Sequence, residues 1–116
     1  MKRLVISNVI KELGIPANLK GYRYITYGIE LLINDINLID STMGIYKTVA
    51  EHFGTTPLKA ERAIRHAIET GWNRANDDFV MKMFGYSVLS IKGKPTNSEF
   101  LATVADYLLM TGGDEE

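Results

Sequence analysis

Apolar residues recur at intervals of three and four along most of this chain, and glycine or proline interrupts the pattern between segments. This spacing places the apolar side chains of each segment on one face of an α-helix. Only Tyr86 to Ile91 alternates as a strand would, and no second strand is evident to pair with it, so we expect it to be irregular. The sequence therefore predicts an all-α fold, a single compact domain of five to six helices at about residues 2–13, 19–34, 45–53, 57–72, 77–84 and 97–110.

Several of these helices have start and stop residues. Gly14 can adopt the left-handed conformation of a helix C-terminal cap at little energetic cost, and Pro16 cannot continue the first helix. The first helix should therefore end there. The last helix begins with Thr96-Asn97-Ser98-Glu99, which matches a capping box. Gly21 and Gly28 each cost roughly 1 kcal/mol inside the second helix. We therefore expect these glycines to mark close helix contacts or a shifted helix start.

Length and charge limit the organisation of the chain. At 116 residues it has room for one core and not for two. Its formal net charge is −1, whereas a nucleic-acid binder usually has a basic footprint. Three acidic residues follow Gly112-Gly113, and the rest of the chain has 11 acidic against 13 basic residues, a net charge of +2. We expect a helical domain over residues 1–111 and an acidic, flexible tail over residues 112–116.

Composition excludes several kinds of site. The chain has no cysteine, which rules out disulfides, thiol catalysis and cysteine-ligated metals. His52 and His66 lack a third ligand at metal-binding spacing, so we expect each at a surface or interface. No nucleophile is set beside a base and no glycine-rich phosphate loop is present, so the sequence predicts neither an enzyme nor a cofactor. No apolar stretch approaches the roughly 20 residues of a membrane span, and polar residues interrupt the N-terminal apolar run, which predicts a cytoplasmic protein.

Residues 45–72 predict a helix-turn-helix. A short helix ends at Gly54, which can take the positive φ that a tight turn needs. Thr56-Pro57 opens the next helix, because threonine accepts from a free amide and proline fits the first helical position. Ala50 is small where the two helices must approach closely. Together these features indicate two helices joined by a tight turn.

The helix predicted at 57–72 has a small, apolar side and a charged side. The apolar stripe consists of Ala60, Ala63, Ile64, Ala67 and Gly71. The opposite arc consists of Lys59, Arg62, Arg65 and His66, with Glu61 at its edge and Glu69 toward the far end. Such side chains can read bases, since arginine or lysine pairs with guanine and glutamate accepts from cytosine, and the helix N-terminus favours a phosphate. An ordinary charged surface helix, with Glu61 and Arg65 as a salt bridge, is the alternative.

Two further pairs of residues have simpler interpretations. Lys92 and Lys94 are either solvated loop lysines or phosphate contacts beside the last helix. We expect Trp72 and Tyr86 to pack in the core or at its rim and not to stack on bases.

Long blocks of the sequence resemble one family. They are ERAIRHAIETGW (Glu61 to Trp72), KPTNSEF (Lys94 to Phe100), LGIPANLKGY (Leu13 to Tyr22), NDINLI (Asn34 to Ile39) and FGYSV (Phe84 to Val88). From about Val5 to Leu108, in order and without a large gap, the chain resembles the C-terminal effector domain of the bacterial sporulation initiation master regulator, stage zero protein A. Matching blocks of this length are highly specific.

The resemblance implies a response-regulator transcription factor of endospore-forming bacteria. Its six-helix effector domain binds double-stranded DNA at short boxes similar to TGTCGAA, often as tandem copies, and activates or represses promoters. The DNA contacts that it implies here are Lys59, Glu61 and Arg62 for bases, and Arg65 and His66 for phosphates or nearby bases. The surface around Arg74 to Met83 would contact a polymerase sigma factor, and tandem boxes imply self-association on DNA.

Two features depart from the family. Leu58-Lys59 stands where the family usually has Ser-Arg, and lysine lacks the planar fork of arginine, so guanine recognition there should be weaker or altered. The family's phosphoacceptor receiver domain is absent from this sequence. We expect either an excised piece of a longer regulator or a natural stand-alone paralogue, which phosphorylation could not gate directly.

Two classes of function follow. The first is a sequence-specific transcription regulator with the helix at 57–72 in the major groove. The alternative is a protein-interaction module that keeps the fold and modulates a full-length regulator without productive specific DNA binding. Leu58-Lys59 and the near-neutral charge favour the alternative. Salt dependence of DNA affinity separates the two, because phosphate contacts release counterions and protein contacts need not.

Overall fold

The computed structural model describes residues 3–75, 77–85 and 93–112, and of residues 39–42 only the backbone. In these residues the chain forms six α-helices, one short 3-10 helix and no strand. The elements are α1 (Arg3–Glu12), α2 (Lys20–Asn34), the 3-10 helix (Ile36–Ser41), α3 (Thr42–Phe53), α4 (Pro57–Trp72), α5 (Asp77–Phe84) and α6 (Asn97–Thr111). The predicted all-α fold is confirmed. The segment Tyr86 to Ile91 and residues 113–116 of the predicted tail lie outside the described residues.

Most helix bounds agree with the prediction, and α3 differs most. The bounds of α4 and α5 are those predicted, whereas α3 begins at Thr42, three residues before the predicted start. The 3-10 helix ends at Ser41 and α3 begins at the next residue, so the helical backbone is continuous through residues 42–44. Met43 is 68% exposed and Gly44 has no side chain, so this first turn carries no apolar pattern that a sequence could reveal.

The region after α2 departs from its apolar period. The spacing of α2 extends to Ile36 in the sequence, but α2 ends at Asn34 and Ile36 is 39% exposed in the 3-10 helix. Asp35 takes an extended conformation there, and its carboxylate accepts from the backbone N–H of Asn37 at 3.2 Å. This local side-chain bond competes with the helix and turns the chain.

Helix α2 lies at the centre of the molecule and packs against α1, α3, α4 and α6. The largest fully buried side chains are Ile6, Ile10, Leu13, Ile25, Ile29, Leu32, Ile45, Ile64, Ile68, Phe100, Leu101 and Leu108. Leu109 of α6 is apolar and follows the buried Leu108, but its side chain is 46% exposed. The apolar face of α6 is wider than the arc that the neighbouring helices cover, and its edge meets solvent.

Two glycines let backbones approach closely around α4. A Cβ on Gly21 would lie 2.2 Å from the carbonyl oxygen of Ala63 and 2.6 Å from the Cβ of Ala67. A Cβ on Gly71 would lie 2.5 Å from Ile15 Cγ1 and 2.9 Å from the carbonyl oxygen of Leu13. Gly21 thus marks a close helix contact, as predicted, and α4 is seated against both α2 and the α1–α2 connection.

Among the residues described, no helix is both long enough and apolar enough to cross a membrane.

Candidate nucleic-acid interface

Helices α3 and α4 are joined by the three residues Gly54, Thr55 and Thr56. Gly54 has a φ of +69°, the left-handed conformation expected of it, and the N–H of Thr55 donates to the carbonyl oxygen of Ala50 at 2.9 Å. This bond closes the end of α3 and reverses the chain within one turn. Two helices joined by a tight turn are consistent with the predicted helix-turn-helix.

The first turn of α4 is built by its cap. The Thr56 hydroxyl accepts from the backbone N–H of Lys59 at 3.2 Å, and Pro57 occupies the first helical position. Threonine therefore satisfies one of the free amides, while proline, which has no N–H, leaves none unsatisfied at its position. Both predicted roles are confirmed, and they fix where the exposed face of α4 begins.

One face of α4 is buried in the core. Ala60, Ile64, Ala67 and Gly71 of the predicted stripe are buried, and Ala63 is half-buried. Ile68 is also buried, although the predicted stripe does not include it. It lies one turn beyond Ile64 and follows the same spacing.

The opposite arc of α4 faces solvent. Lys59, Arg62, Arg65 and His66 are exposed, as the sequence predicts. Glu61 is half-buried, and its carboxylate pairs with Arg65 at 3.1 Å four residues along the helix. Arg62 and Lys59 are therefore the most accessible of the three predicted base-contacting residues, whereas Glu61 must leave Arg65 before it can accept from a base. The DNA-contacting roles stay predictions.

Asn97, the first residue of α6, joins the two helices of the helix-turn-helix to α6. Its Nδ2 donates to the Tyr46 hydroxyl of α3 at 2.9 Å and approaches the carbonyl oxygen of Glu61 in α4 at 3.3 Å. Burial raises the pKa of Tyr46, against the opposing effect of the Asn97 hydrogen bond. No sequence pattern indicates this contact, because the partners lie 51 and 36 residues away along the chain.

The start of α6 also carries the predicted capping box. The Thr96 hydroxyl accepts from the N–H of Glu99 at 3.2 Å, and Glu99 accepts from the N–H of Thr96 at 2.9 Å. These reciprocal bonds fix the first turn of α6. They thereby fix Asn97, which lies between the two.

A second contact to the same side of α4 comes from the loop before α6. Lys94 Nζ donates to Glu69 Oε2 at 2.7 Å, and both side chains are about half exposed. The hydrogen bond from Lys94 holds the pKa of Glu69 below its usual range. Lys94 is thus engaged by an acid of α4, and its predicted phosphate contact stays a prediction. Lys92, the other predicted phosphate contact, lies outside the described residues.

Trp72 and His52 have packing roles. Trp72 lies half-buried at the end of α4, edge to face with Phe84 at 5.0 Å, and its indole N–H donates to the carbonyl oxygen of Gly93. His52 stacks on Tyr27 with ring centroids 4.0 Å apart, whereas His66 is exposed on α4. Trp72 therefore packs at the rim of the core, as predicted, and Tyr86 lies outside the described residues.

Comparison with protein families matches most of the chain. The family model described as "Sporulation initiation factor Spo0A C terminal" matches residues 6–108. The matched segment begins within α1 and ends in α6, so it includes the helix-turn-helix and every helix that supports it.

Proposed function

This chain belongs to the sporulation initiation factor Spo0A C-terminal family, and on that premise we propose that it is a sequence-specific transcription regulator whose helix α4 enters the major groove of a box similar to TGTCGAA. The family is one of DNA-binding regulatory domains. The observation that carries the proposal is the exposed arc of α4, where Lys59 and Arg62 project from a helix whose other face is fixed in the core. Binding of chromosomal DNA would occur in the cytoplasm.

The proposed base contacts follow from side-chain chemistry. Arg62 can donate two parallel hydrogen bonds to guanine O6 and N7, and Lys59 can donate to the same edge as a point charge. Glu61 can accept from cytosine N4 once its carboxylate leaves Arg65. Arg65, released from that ion pair, and His66 lie farther along the exposed arc, where they can contact a phosphate or a neighbouring base.

Fluorescence anisotropy with two duplexes tests this function. One duplex carries TGTCGAA and the other a scrambled sequence, and both are titrated at two salt concentrations. We expect the chain to prefer the box, and Arg62→Ala to lose about 1–3 kcal/mol of binding free energy on the box while binding the scrambled duplex nearly as before. Arg62→Lys should recover only part of the loss, because lysine lacks the fork.

Arg74→Ala is the matched control, since Arg74 is also an exposed arginine but lies beyond the end of α4. It should bind both duplexes as the unchanged protein does. Equal, weak binding of the unchanged protein to both duplexes would contradict recognition of this box.

The alternative function, a protein-interaction module without productive specific DNA binding, has one structural observation in its favour. The acids Glu61 and Glu69 neutralise Arg65 and Lys94 along one side of α4. A module of this kind should show DNA affinity that is weak and alters little between the two salt concentrations, whereas a DNA regulator should lose affinity steeply as salt rises.

A sigma-factor contact is proposed for the surface around α5. Asp77, Asp78 and Lys82 are exposed there, and Met81 is 37% exposed. Charge reversal at Lys82 (Lys82→Glu) should weaken sigma-factor binding measured by calorimetry and leave box affinity unchanged. Unaltered sigma-factor binding in that variant would argue against a contact at this surface.

Self-association is proposed for tandem boxes. Two adjacent boxes would place two copies side by side, so binding to a two-box duplex should be cooperative in a gel-shift titration. A duplex in which the boxes are separated by an added half-turn of DNA should bind two copies independently. Equal cooperativity on both duplexes, or none on either, would contradict contact between adjacent copies.

A further inference from the structure

An open groove of about 390 Å³ lies between the first turn of α2 and the start of α4, at the turn of the helix-turn-helix. Its three charged lining residues are Lys20 and Arg23 of α2 and Lys59 of α4, and all three are exposed. The sequence interpretation assigned no role to Lys20 or Arg23. The groove belongs to the same end of α4 as the predicted base-contacting residues.

No acid among the described residues neutralises the cations of this groove. In that part of the chain no carboxylate lines the groove, and no ion pair joins Lys20, Arg23 or Lys59 to an acid. Three positive charges thus face one small space. Such a site attracts an anion, and it does so without first breaking an existing salt bridge.

The remaining lining of the groove permits close approach of a ligand. Tyr24 and Phe53, with ring centroids 5.0 Å apart, supply its aromatic lining. Gly54 lies at the turn, and a Cβ there would meet no atom within 4 Å, so the space in front of the backbone is open. An aromatic surface beside the cations lowers the local dielectric, which strengthens their attraction for an anion.

The position of the groove identifies the anion. An α-helix with its side chains is about 10–12 Å across, which is close to the ~12 Å width of the DNA major groove. Protein groups just beside a helix that lies in the major groove therefore face the phosphates along the groove walls. Gly21, next to Lys20, packs directly on the backbone of Ala63, so the start of α2 lies beside the first turns of α4. Lys20 and Arg23 would therefore lie at the wall of the DNA major groove when α4 enters it.

We propose that Lys20 and Arg23, beside Lys59 at the start of α4, hold a backbone phosphate of the duplex that α4 reads. Arginine can bind a phosphate with two parallel hydrogen bonds, and lysine binds it as a point charge. The contact positions α4 and carries no sequence information itself. The proposal rests on the proposed function, since it requires α4 in the major groove.

The test measures DNA affinity against salt for Lys20→Ala, Arg23→Ala and the double variant. Both residues are exposed, so the substitutions leave the core intact, which circular dichroism and thermal unfolding would verify. Each variant is titrated with the TGTCGAA duplex and the scrambled duplex by anisotropy, from about 50 to about 200 mM salt. Lys82→Ala, an exposed lysine on α5, is the matched control.

We expect the affinities for both duplexes to fall by the same factor, so that the ratio between them is unchanged. Each lost contact should reduce the slope of log affinity against log salt by about 0.9, and the double variant by about 1.8. For each lost contact, the fold reduction in DNA affinity should therefore be about three times larger at the lower salt concentration than at the higher one. Lys82→Ala should alter neither slope nor affinity.

Two outcomes would overturn the phosphate site, and they differ from failure of the proposed function. If Arg62→Ala abolishes the preference for the box while Lys20→Ala and Arg23→Ala retain the full salt slope, α4 reads DNA but this groove holds no phosphate. If the α2 variants alter the preference between duplexes and not the slope, the residues contact bases instead. If the unchanged protein shows no salt-dependent DNA binding at all, the proposed function fails, and the phosphate site fails with it.

Discussion

The two sides of α4 are supported in different ways. On the side of α2, the helices touch at backbone distance through Gly21, and the nearby cations Lys20 and Arg23 have no acidic partner among the described residues. On the side of α6, the contacts are polar side chains: Asn97 bonds the backbone of α4, and Lys94 bonds Glu69. The first side is closely packed and positively charged, whereas the second is hydrogen-bonded and its cations are paired with acids.

The orientation of α4 and its electrostatic attraction for DNA therefore depend on different contacts. Packing against α2 and bonding to α6 both fix where the exposed arc points. Among the described residues, the α2 side has the cations Lys20 and Arg23 without an acidic partner, whereas the acids of the α6 side pair with Arg65 and Lys94. We expect the phosphate attraction of the domain to be concentrated on the α2 side of α4, which would explain how a chain with a net charge of −1 can bind DNA.

The largest effect on stability should come from disrupting the close packing of α2 against α4. In Gly21→Ala the new methyl group would lie 2.2 Å from a backbone oxygen of α4, so one of the two helices must shift. We expect a loss of about 3 kcal/mol in the free energy of unfolding, at the upper end of the usual overpacking cost. Urea unfolding followed by circular dichroism measures it.

Gly28→Ala is the matched control in the same helix. A Cβ there would meet its nearest atoms at 3.7 Å and beyond, an ordinary contact, and alanine favours helix over glycine by up to about 1 kcal/mol. Stability should be unchanged or higher. If both variants were equally stable, the close approach of α2 and α4 would not be a determinant of the fold.

Breaking the hydrogen-bonded side should cost less. Asn97→Ala removes the donor to Tyr46 and to the Glu61 carbonyl, and we expect a loss of about 1–2 kcal/mol in the free energy of unfolding. Tyr46→Phe should cost about 1 kcal/mol. Because the two residues share one bond, the double variant should lose less than the sum of the single losses. Strict additivity in this double-mutant cycle would show that the bond does not contribute to stability.

Removing an acid from the α6 side of α4 should leave an unpaired cation there, as on the α2 side. Glu69→Gln frees Lys94, and we expect DNA affinity to rise about two- to fivefold on both duplexes, with a salt slope steeper by at most about 0.9. Stability at neutral pH should barely change, since the pair is half exposed and such pairs contribute little. Glu12→Gln, at an exposed acid of α1, is the control. An equal gain in that control would indicate a general charge effect and no specific release of Lys94.

The smallest effect is a pH dependence at Tyr46. Burial raises the pKa of its hydroxyl above the ordinary value, so the folded state holds this proton more tightly than the unfolded state does. The resulting stability is fully present below pH of about 10 and is lost as the pH rises through the folded pKa. The free energy of unfolding from a urea series should fall above about pH 10, and this fall should be shallower in Tyr46→Phe. Identical curves would contradict the buried hydroxyl.

Local patterns were sufficient to predict most of the fold. The start of α4 follows from Thr56-Pro57, whose cap bond is local, and the start of α6 follows from the capping box at Thr96. Ile36 continues the apolar spacing of α2, but the side chain of Asp35 turns the backbone away, and α2 ends at Asn34, where its predicted range also ends. The early start of α3 at Thr42 had no apolar pattern to indicate it.

The candidate site was predictable only in part, for a related reason. The exposed arc of α4 is a property of one helix, so its spacing reveals Lys59 and Arg62. The groove at Lys20 and Arg23 depends on α2 lying beside α4, and Asn97 acts on partners far away in the chain. Such contacts arise from tertiary packing, which no local periodicity encodes.

The most direct test of the central claim is a titration of the ¹⁵N-labelled chain with the TGTCGAA duplex, followed by amide chemical shifts. If the exposed arc of α4 enters the major groove, the largest shifts should lie in the first turns of α4 and at Gly54-Thr55, with smaller shifts from Lys20 to Arg23 and weak ones along the α6 side. Shifts confined to α1 or α5, with α4 unaffected at saturating duplex, would contradict the account.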